Sequence, residues 1–255
     1  MKSLKTIIFA TLLLAALSCT KNQVEGSGQV NFEIDAAAGL VEVTRSNVSD
    51  YTKLPSAGDF TITILDASSV SVYSGKLSAW DPLTQLQAGN YTVTATYGSM
   101  DEEGFDKPCF KGTASFAVTG NNVTNVNISA LLSNTVVKVA YTDNFKNYYS
   151  DYTFKVERDG ATIATFTKDE TKAAFVDGYK LTLTGEITPF QPSPDVQVSK
   201  LTFSKDYSNL NEATAYTFLF DASNVGGATI TVSFNDTVEV IDLGNFEINE
   251  KQEKE

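Results

Sequence analysis

The chain has 255 residues, 42% of them hydrophobic and 20% charged, with a formal net charge of −12 and no histidine. Such acidity repels nucleic-acid backbones and bare anionic membranes, and the missing histidine excludes Ser-His-Asp and Cys-His nucleophile systems and histidine-ligated zinc or iron. Thr, Val, Tyr and Phe are plentiful and helix-favouring runs are scarce, so the expected class is all-β, with enough chain for one large or two small domains.

Lys2 and Lys5 precede an apolar run from Ile7 to Leu17. The run is too short for a lasting transmembrane helix and reads as a signal peptide over residues 1–18. It ends Ala16-Leu17-Ser18-Cys19, which resembles a bacterial lipobox. That resemblance implies that Cys19 carries the lipid and becomes the new N-terminus, with residues 19–27 as a flexible tether. The usual lipobox has leucine three places before the cysteine, where this chain has Ala16. Several fatty chains on one residue would anchor it stably, each buried methylene contributing about 0.8 kcal/mol. The alternative is ordinary cleavage nearby, which leaves Cys19 an incidental thiol.

A first β-sandwich domain is expected over residues 28–133. Gly28 to Asp35 alternates, with Val30, Phe32 and Ile34 on one face. Residues 36–58 read as a long surface loop with a short strand at Val41 to Thr44. Asp59 to Leu65 places Phe60, Ile62 and Ile64 inward, and Asp66-Ala67-Ser68-Ser69 turns it into Val70 to Gly75, where Val70 and Val72 share a face. The most regular stretch runs from Leu86 to Gly98: a turn at Ala88-Gly89-Asn90, then Tyr91, Val93, Ala95 and Tyr97 on one face and Thr92, Thr94 and Thr96 on the other. After it, Asp101, Glu102, Glu103 and Asp106 crowd one loop. They lack the regular oxygen-ligand spacing of a calcium loop, so a solvated acidic loop is the favoured reading and calcium the alternative. Thr113 to Val118 and Val123 to Ser129 pair across Gly120-Asn121. Cys109 reads as an inert, partly buried thiol.

A second sandwich domain is expected over residues 134–249, followed by a charged tail at 250–255. Val137, Val139 and Tyr141 share a strand face. Asp143 to Asp151 is a short-helix candidate, with Asp143 as N-cap and Phe145 and Tyr149 on one side. Tyr152 to Phe166 is a hairpin turning at Asp159-Gly160. A second Asp-Gly, Asp177-Gly178, joins Ala173 to Val176 with Tyr179 to Gly185. Thr188 to Asp195, with three prolines, reads as a loop. Val196 to Phe203, Ala215 to Asp221, Gly227 to Phe234 and Val238 to Ile248 complete the strands. Each half has the strand lengths and turn spacing of an immunoglobulin-like or prealbumin-like sandwich.

The run from Val136 through Asp143-Asn144-Phe145-Lys146-Asn147-Tyr148-Tyr149 to Phe175, with the Leu86 to Gly98 stretch and the Phe105, Pro108, Phe110 and Gly112 loop, resembles a Bacteroidetes lipoprotein family known as a domain of unknown function. The Leu-x-Ala-Gly-x-Tyr-Thr-Val pattern is more weakly similar to fimbrillin and fimbrial anchor subunits. The resemblance implies an exported, lipid-anchored β-protein and carries over one functional position, Cys19. Asp236-Thr237-Val238 also resembles the short motif glycosylated on threonine in such exported proteins, which makes Thr237 a candidate site.

No spacing signature for catalysis is present, and the expectation is a non-enzyme without cofactor or metal. The leading expectation is an outer-membrane, lipid-anchored protein for adhesion, assembly or ligand binding. It would meet the membrane through its N-terminal lipid and a protein or glycan partner at the cell surface, with no nucleic acid. Two narrower forms are a glycan binder stacking sugars on Trp80, Tyr148 and Tyr149, with Tyr152 beside them, and a fimbrial subunit or anchor exchanging the Val238 to Ile248 strand. For Trp80, a core plug beside Pro82 is the favoured reading.

Overall fold

A computed structural model describes residues 26–36, 47–191, 195, 197–222, 229–234 and 237–242. The leader, Cys19, the Val41 to Thr44 strand and the charged tail lie outside the described residues. The fold is all-β. In chain order the strands are β1 (Ser27–Ala36), β2 (Thr61–Asp66), β3 (Ser71–Lys76), β4 (Gln85–Gln87), β5 (Gly89–Tyr97), β6 (Gly104–Phe105), β7 (Phe110–Val118), β8 (Val123–Leu132) and β9 (Thr135–Tyr141). Helix α1 (Asp143–Tyr148) follows. Then come β10 (Tyr149–Arg158), β11 (Ala161–Thr167), β12 (Ala174–Val176), β13 (Lys180–Pro189), β14 (Leu201–Ser208), β15 (Ala215–Ala222), β16 (Thr229–Phe234) and β17 (Thr237–Asp242).

The first half forms one seven-stranded sheet in the order β3-β2-β5-β7-β8-β1-β4. It curls, because β7 and β8 pair only at Phe110↔Leu132 and Lys111↔Leu131, away from their turn. Nearer the turn β7 follows β5 and β8 follows β1, which pairs with it in parallel. Val30, Ile34, Phe60, Ile62, Ile64, Tyr91, Val93, Ala95 and Ile128 are buried between the two sides. β5 does what its alternation predicts: Tyr91, Val93 and Ala95 are buried and its threonines are not. β3 differs. Val70 and Val72 are 58% and 42% exposed, and Tyr73 faces inward against Trp80, with ring centroids 4.8 Å apart. β3 is an edge strand, and the bulky ring takes the inner side.

In the second half, a four-stranded sheet (β11-β10-β13-β14) faces a six-stranded one (β17-β16-β15-β9-β12-β6). An aromatic cluster fills the space between them, with Phe154 of β10 stacked on Phe220 of β15 at 3.9 Å between centroids. α1 begins one residue earlier than expected: its cap is Thr142, whose hydroxyl accepts from the Phe145 N–H at 3.1 Å. The helix ends at Tyr148, and Tyr149 already belongs to β10. β13 runs on through Pro189, into the segment expected as a loop, because its pairing with β10 continues to Tyr149↔Pro189. Of the expected Val238 to Ile248 strand, β17 is the described part. It lies at the sheet edge, paired with β16.

The Tyr149 hydroxyl is buried and has no hydrogen-bond partner among the described residues, and burial pushes its pKa up to about 12. An unsatisfied buried hydroxyl carries a desolvation cost with nothing to offset it. Tyr149→Phe is therefore expected to stabilise the protein by about 1 kcal/mol, read as a higher urea midpoint with unchanged slope. A lower midpoint would mean that the hydroxyl has found a partner.

Candidate ligand cleft

The residues proposed from sequence as stacking platforms lie in the core. Trp80 is 8% exposed, its indole N–H donates to the Val30 carbonyl at 3.0 Å, and its ring lies edge-on to Phe32. This is the core plug. Tyr148 and Tyr149 are 4% and 2% exposed, because α1 and the start of β10 fold onto the aromatic cluster between the sheets. None of the three rings presents a free face. Thr237 is the first residue of β17.

Three of the four acidic-loop carboxylates are ion-paired. Glu102 lies 2.6 Å from Lys107, and Asp106 pairs with Lys172. The hydrogen bond from Lys107 holds the Glu102 carboxyl below the usual range. Glu103 reaches into the second half: one carboxylate oxygen meets Arg158 Nη1 at 2.6 Å and the other accepts from the Asp177 N–H at 2.6 Å. Two residues on, β6 pairs with β12 through Phe105↔Ala174, and Phe105 packs edge-on against Phe166 of β11. A short strand from the first half thus closes the edge of the second half's sheet. Among the described residues no group of three or more His, Cys, Asp or Glu could hold a metal ion. Cys109 is a buried free thiol whose pKa burial raises.

Through Arg158 and the Asp177 N–H, Glu103 braces two residues that line a cleft. Asp159-Gly160 makes the tight turn between β10 and β11, with φ of 49° and 81°, as the dipeptide predicts. Asp177-Gly178 behaves differently. It carries the chain from β12 in one sheet to β13 in the other, rather than folding a hairpin. Gly178 is required there, because a side chain would strike the Thr135 hydroxyl. These two connections and the end of β14 enclose a cleft of about 480 Å³ lined by Glu157, Arg158, Asp159, Asp177, Tyr179, Lys180, Thr182 and Asp206.

The walls are held by internal bonds. Besides its pairing with Glu103, Arg158 donates to the Asp177 carbonyl, and to the Lys180 carbonyl at 3.4 Å. Thr182 donates to Asp206 at 2.7 Å, and Lys180 lies 3.8 Å from the same carboxylate. Leu181, 1% exposed, anchors the floor in the core. Above this frame stands Tyr179, 75% exposed. Sequence reasoning missed it, because Tyr179 shares the parity of Leu181, Leu183 and Ile187 and so reads as another core position. It escapes burial by preceding the first residue of β13.

The sequence profile of a domain of unknown function, DUF4493, matches residues 26–249. The chain belongs to that family. The resemblance read from Val136 to Phe175 is thereby borne out, and the DUF4493 match extends over both halves of the fold. No curated protein matches the chain in sequence. Among solved structures, the fimbrial anchor protein Mfa2 from Porphyromonas gingivalis is 10% identical at a TM-score of 0.41, covering 86% of this chain and 100% of that one. A candidate cell adhesion protein from Bacteroides eggerthii is 8% identical at 0.44, covering 86% and 96%. A candidate polysaccharide-binding protein from Bacteroides thetaiotaomicron is 12% identical at 0.40, covering 87% and 100%. At these scores and identities, none of their roles transfers to this DUF4493 chain.

Proposed function

We propose that this DUF4493 chain is a non-catalytic, lipid-anchored protein of the bacterial outer membrane that binds an extracellular partner through the Tyr179 cleft. In this reading its two β-rich units divide near residue 133, and the anchor is Cys19. The observation that carries the binding role is the cleft: Arg158, Lys180, Thr182 and Asp206 are held by internal bonds, while the Tyr179 ring stands free above them. A surface of this kind is preorganised to receive a partner with little loss of side-chain freedom. The two hydrophobic clusters, one on either side of residue 133 for most of their members, support the division. The apolar run ending at Cys19 supports the anchor.

The anchor is tested by Cys19→Ser. Wild-type protein is expected to incorporate labelled palmitate and sediment with membranes. The variant is expected to lose the label and to appear in soluble fractions. A Cys19→Ser protein that stays acylated and sediments as before would overturn the anchor.

A further inference from the structure

The structure assigns the Tyr179 cleft a ligand class, a neutral carbohydrate, on the footing of the binding role proposed above. Three observations on the cleft converge. The first is the exposed phenol ring of Tyr179 beside a cleft of about 480 Å³, a volume within the range of small-ligand sites. An aromatic face of this kind packs against the C–H face of a sugar while its hydroxyl stays wet.

The second is the lining, which carries both signs in close alternation: Glu157, Asp159, Asp177 and Asp206 beside Arg158 and Lys180. A polyhydroxylated ligand can donate to carboxylates and accept from an ammonium through the same set of hydroxyls, so it needs no charge of its own to use whichever groups are free. A polyanion would meet four carboxylates on a chain of net charge −12, and a polycation would meet Lys180 and the Arg158 guanidinium at the same wall. The mixed lining therefore favours a neutral ligand over either charged class.

The third is where the free valences lie. Arg158 is committed to Glu103 and two backbone carbonyls, and the Asp206 carboxylate to Thr182 and Lys180. The Asp159 and Asp177 carboxylates form no ion pair among the described residues. They flank Tyr179 on the two turns, where they can accept from the hydroxyls of a sugar stacked on the ring.

Native gels cast with starch, mannan, dextran or xylan test the assignment with the full-length protein in mild detergent. At least one of the four is expected to retard the wild type. Tyr179→Ala is expected to weaken that interaction by about tenfold or more, and Tyr179→Phe, which keeps the ring, by no more than about threefold. The ring is exposed, so both variants are expected to melt as the wild type does. Retardation that survives Tyr179→Ala overturns the site and leaves the binding role standing. Failure of all four polysaccharides, with poly-L-lysine beads capturing the wild type but not Tyr179→Ala, overturns the ligand class and keeps the cleft as a binding face. If neither probe binds and cells lacking the protein adhere normally, the assignment and the underlying binding role fall together.

Discussion

Gly98→Ala is expected to destabilise the protein by about 2–5 kcal/mol, from two additive causes. Gly98 has φ of +73°, a left-handed conformation that disfavours alanine by about 1–2 kcal/mol. A side chain there would also collide with the Pro108 carbonyl oxygen, with the Pro108 carbon and the Cys109 Cα both 3.2 Å away. All three are backbone atoms, so no rotamer change relieves the contact, and overpacking of this kind costs about 1–3 kcal/mol. The consequence reaches beyond β5. The close approach at Gly98 folds residues 99–108 back so that Glu103 and Phe105 meet the second half. Forcing Gly98 and Pro108 apart is expected to withdraw Glu103 from Arg158 and the Asp177 N–H and loosen the cleft wall they form. Urea denaturation and thermal melts measure the first effect, and faster amide exchange at Asp177 reports the second. A Gly98→Ala protein within about 0.5 kcal/mol of the wild type would show that the chain has another way through this turn.

Phe154→Ala is expected to cost about 3–5 kcal/mol. Phe154 is fully buried on β10, and its ring stacks on Phe220 of the facing sheet. It also lies within 6 Å, centroid to centroid, of Tyr141 and Phe203. Removing it leaves a void between two sheets whose strands are fixed by their ladders, so the walls cannot collapse to fill it. Phe154→Leu, which fills most of the volume, is expected to cost less than half as much. Phe220→Ala opens the same space, so the double variant is expected to lose less than the sum of the two single losses. Full additivity in urea denaturation would mean that the two rings stabilise the sheets independently.

Much of this core was legible in the sequence. Val30 and Ile34, Phe60 to Ile64, and Tyr91 to Ala95 all alternate on strands with one buried face, which is the arrangement that period two reports. Asp159-Gly160 was legible as a turn because its chemistry is local. What escaped depended on non-local placement. The sign of each charge in the acidic loop was plain, but that Glu103 meets Arg158, 55 residues away, follows only from β6 crossing to the second half's sheet. Val70 and Val72 looked like a core face, but an edge strand with Tyr73 on its other side turned them outward. The site was least legible of all. Trp80, Tyr148 and Tyr149 have the composition of a binding platform and the burial of a core. Tyr179 has the parity of a core residue and the exposure of a platform.

The parallel pairing of β1 with β8 bears on how the molecule would carry tension. β1 starts where the chain arrives from residue 26, and β8 ends at Leu132, just before the second half begins. Because the two strands run the same way, those points lie at opposite ends of the ladder. A pull on the N-terminal segment, resisted at the second half, is therefore directed along the strands. The eight residue pairs from Gln29↔Val123 to Ala36↔Ala130 share it in shear, whereas an antiparallel hairpin pulled at its open ends yields one rung at a time. β9 and β15 repeat the arrangement from Ala215↔Val136 to Phe220↔Tyr141. If Cys19 anchors the chain as proposed, a load taken up at the second half would run along both parallel ladders.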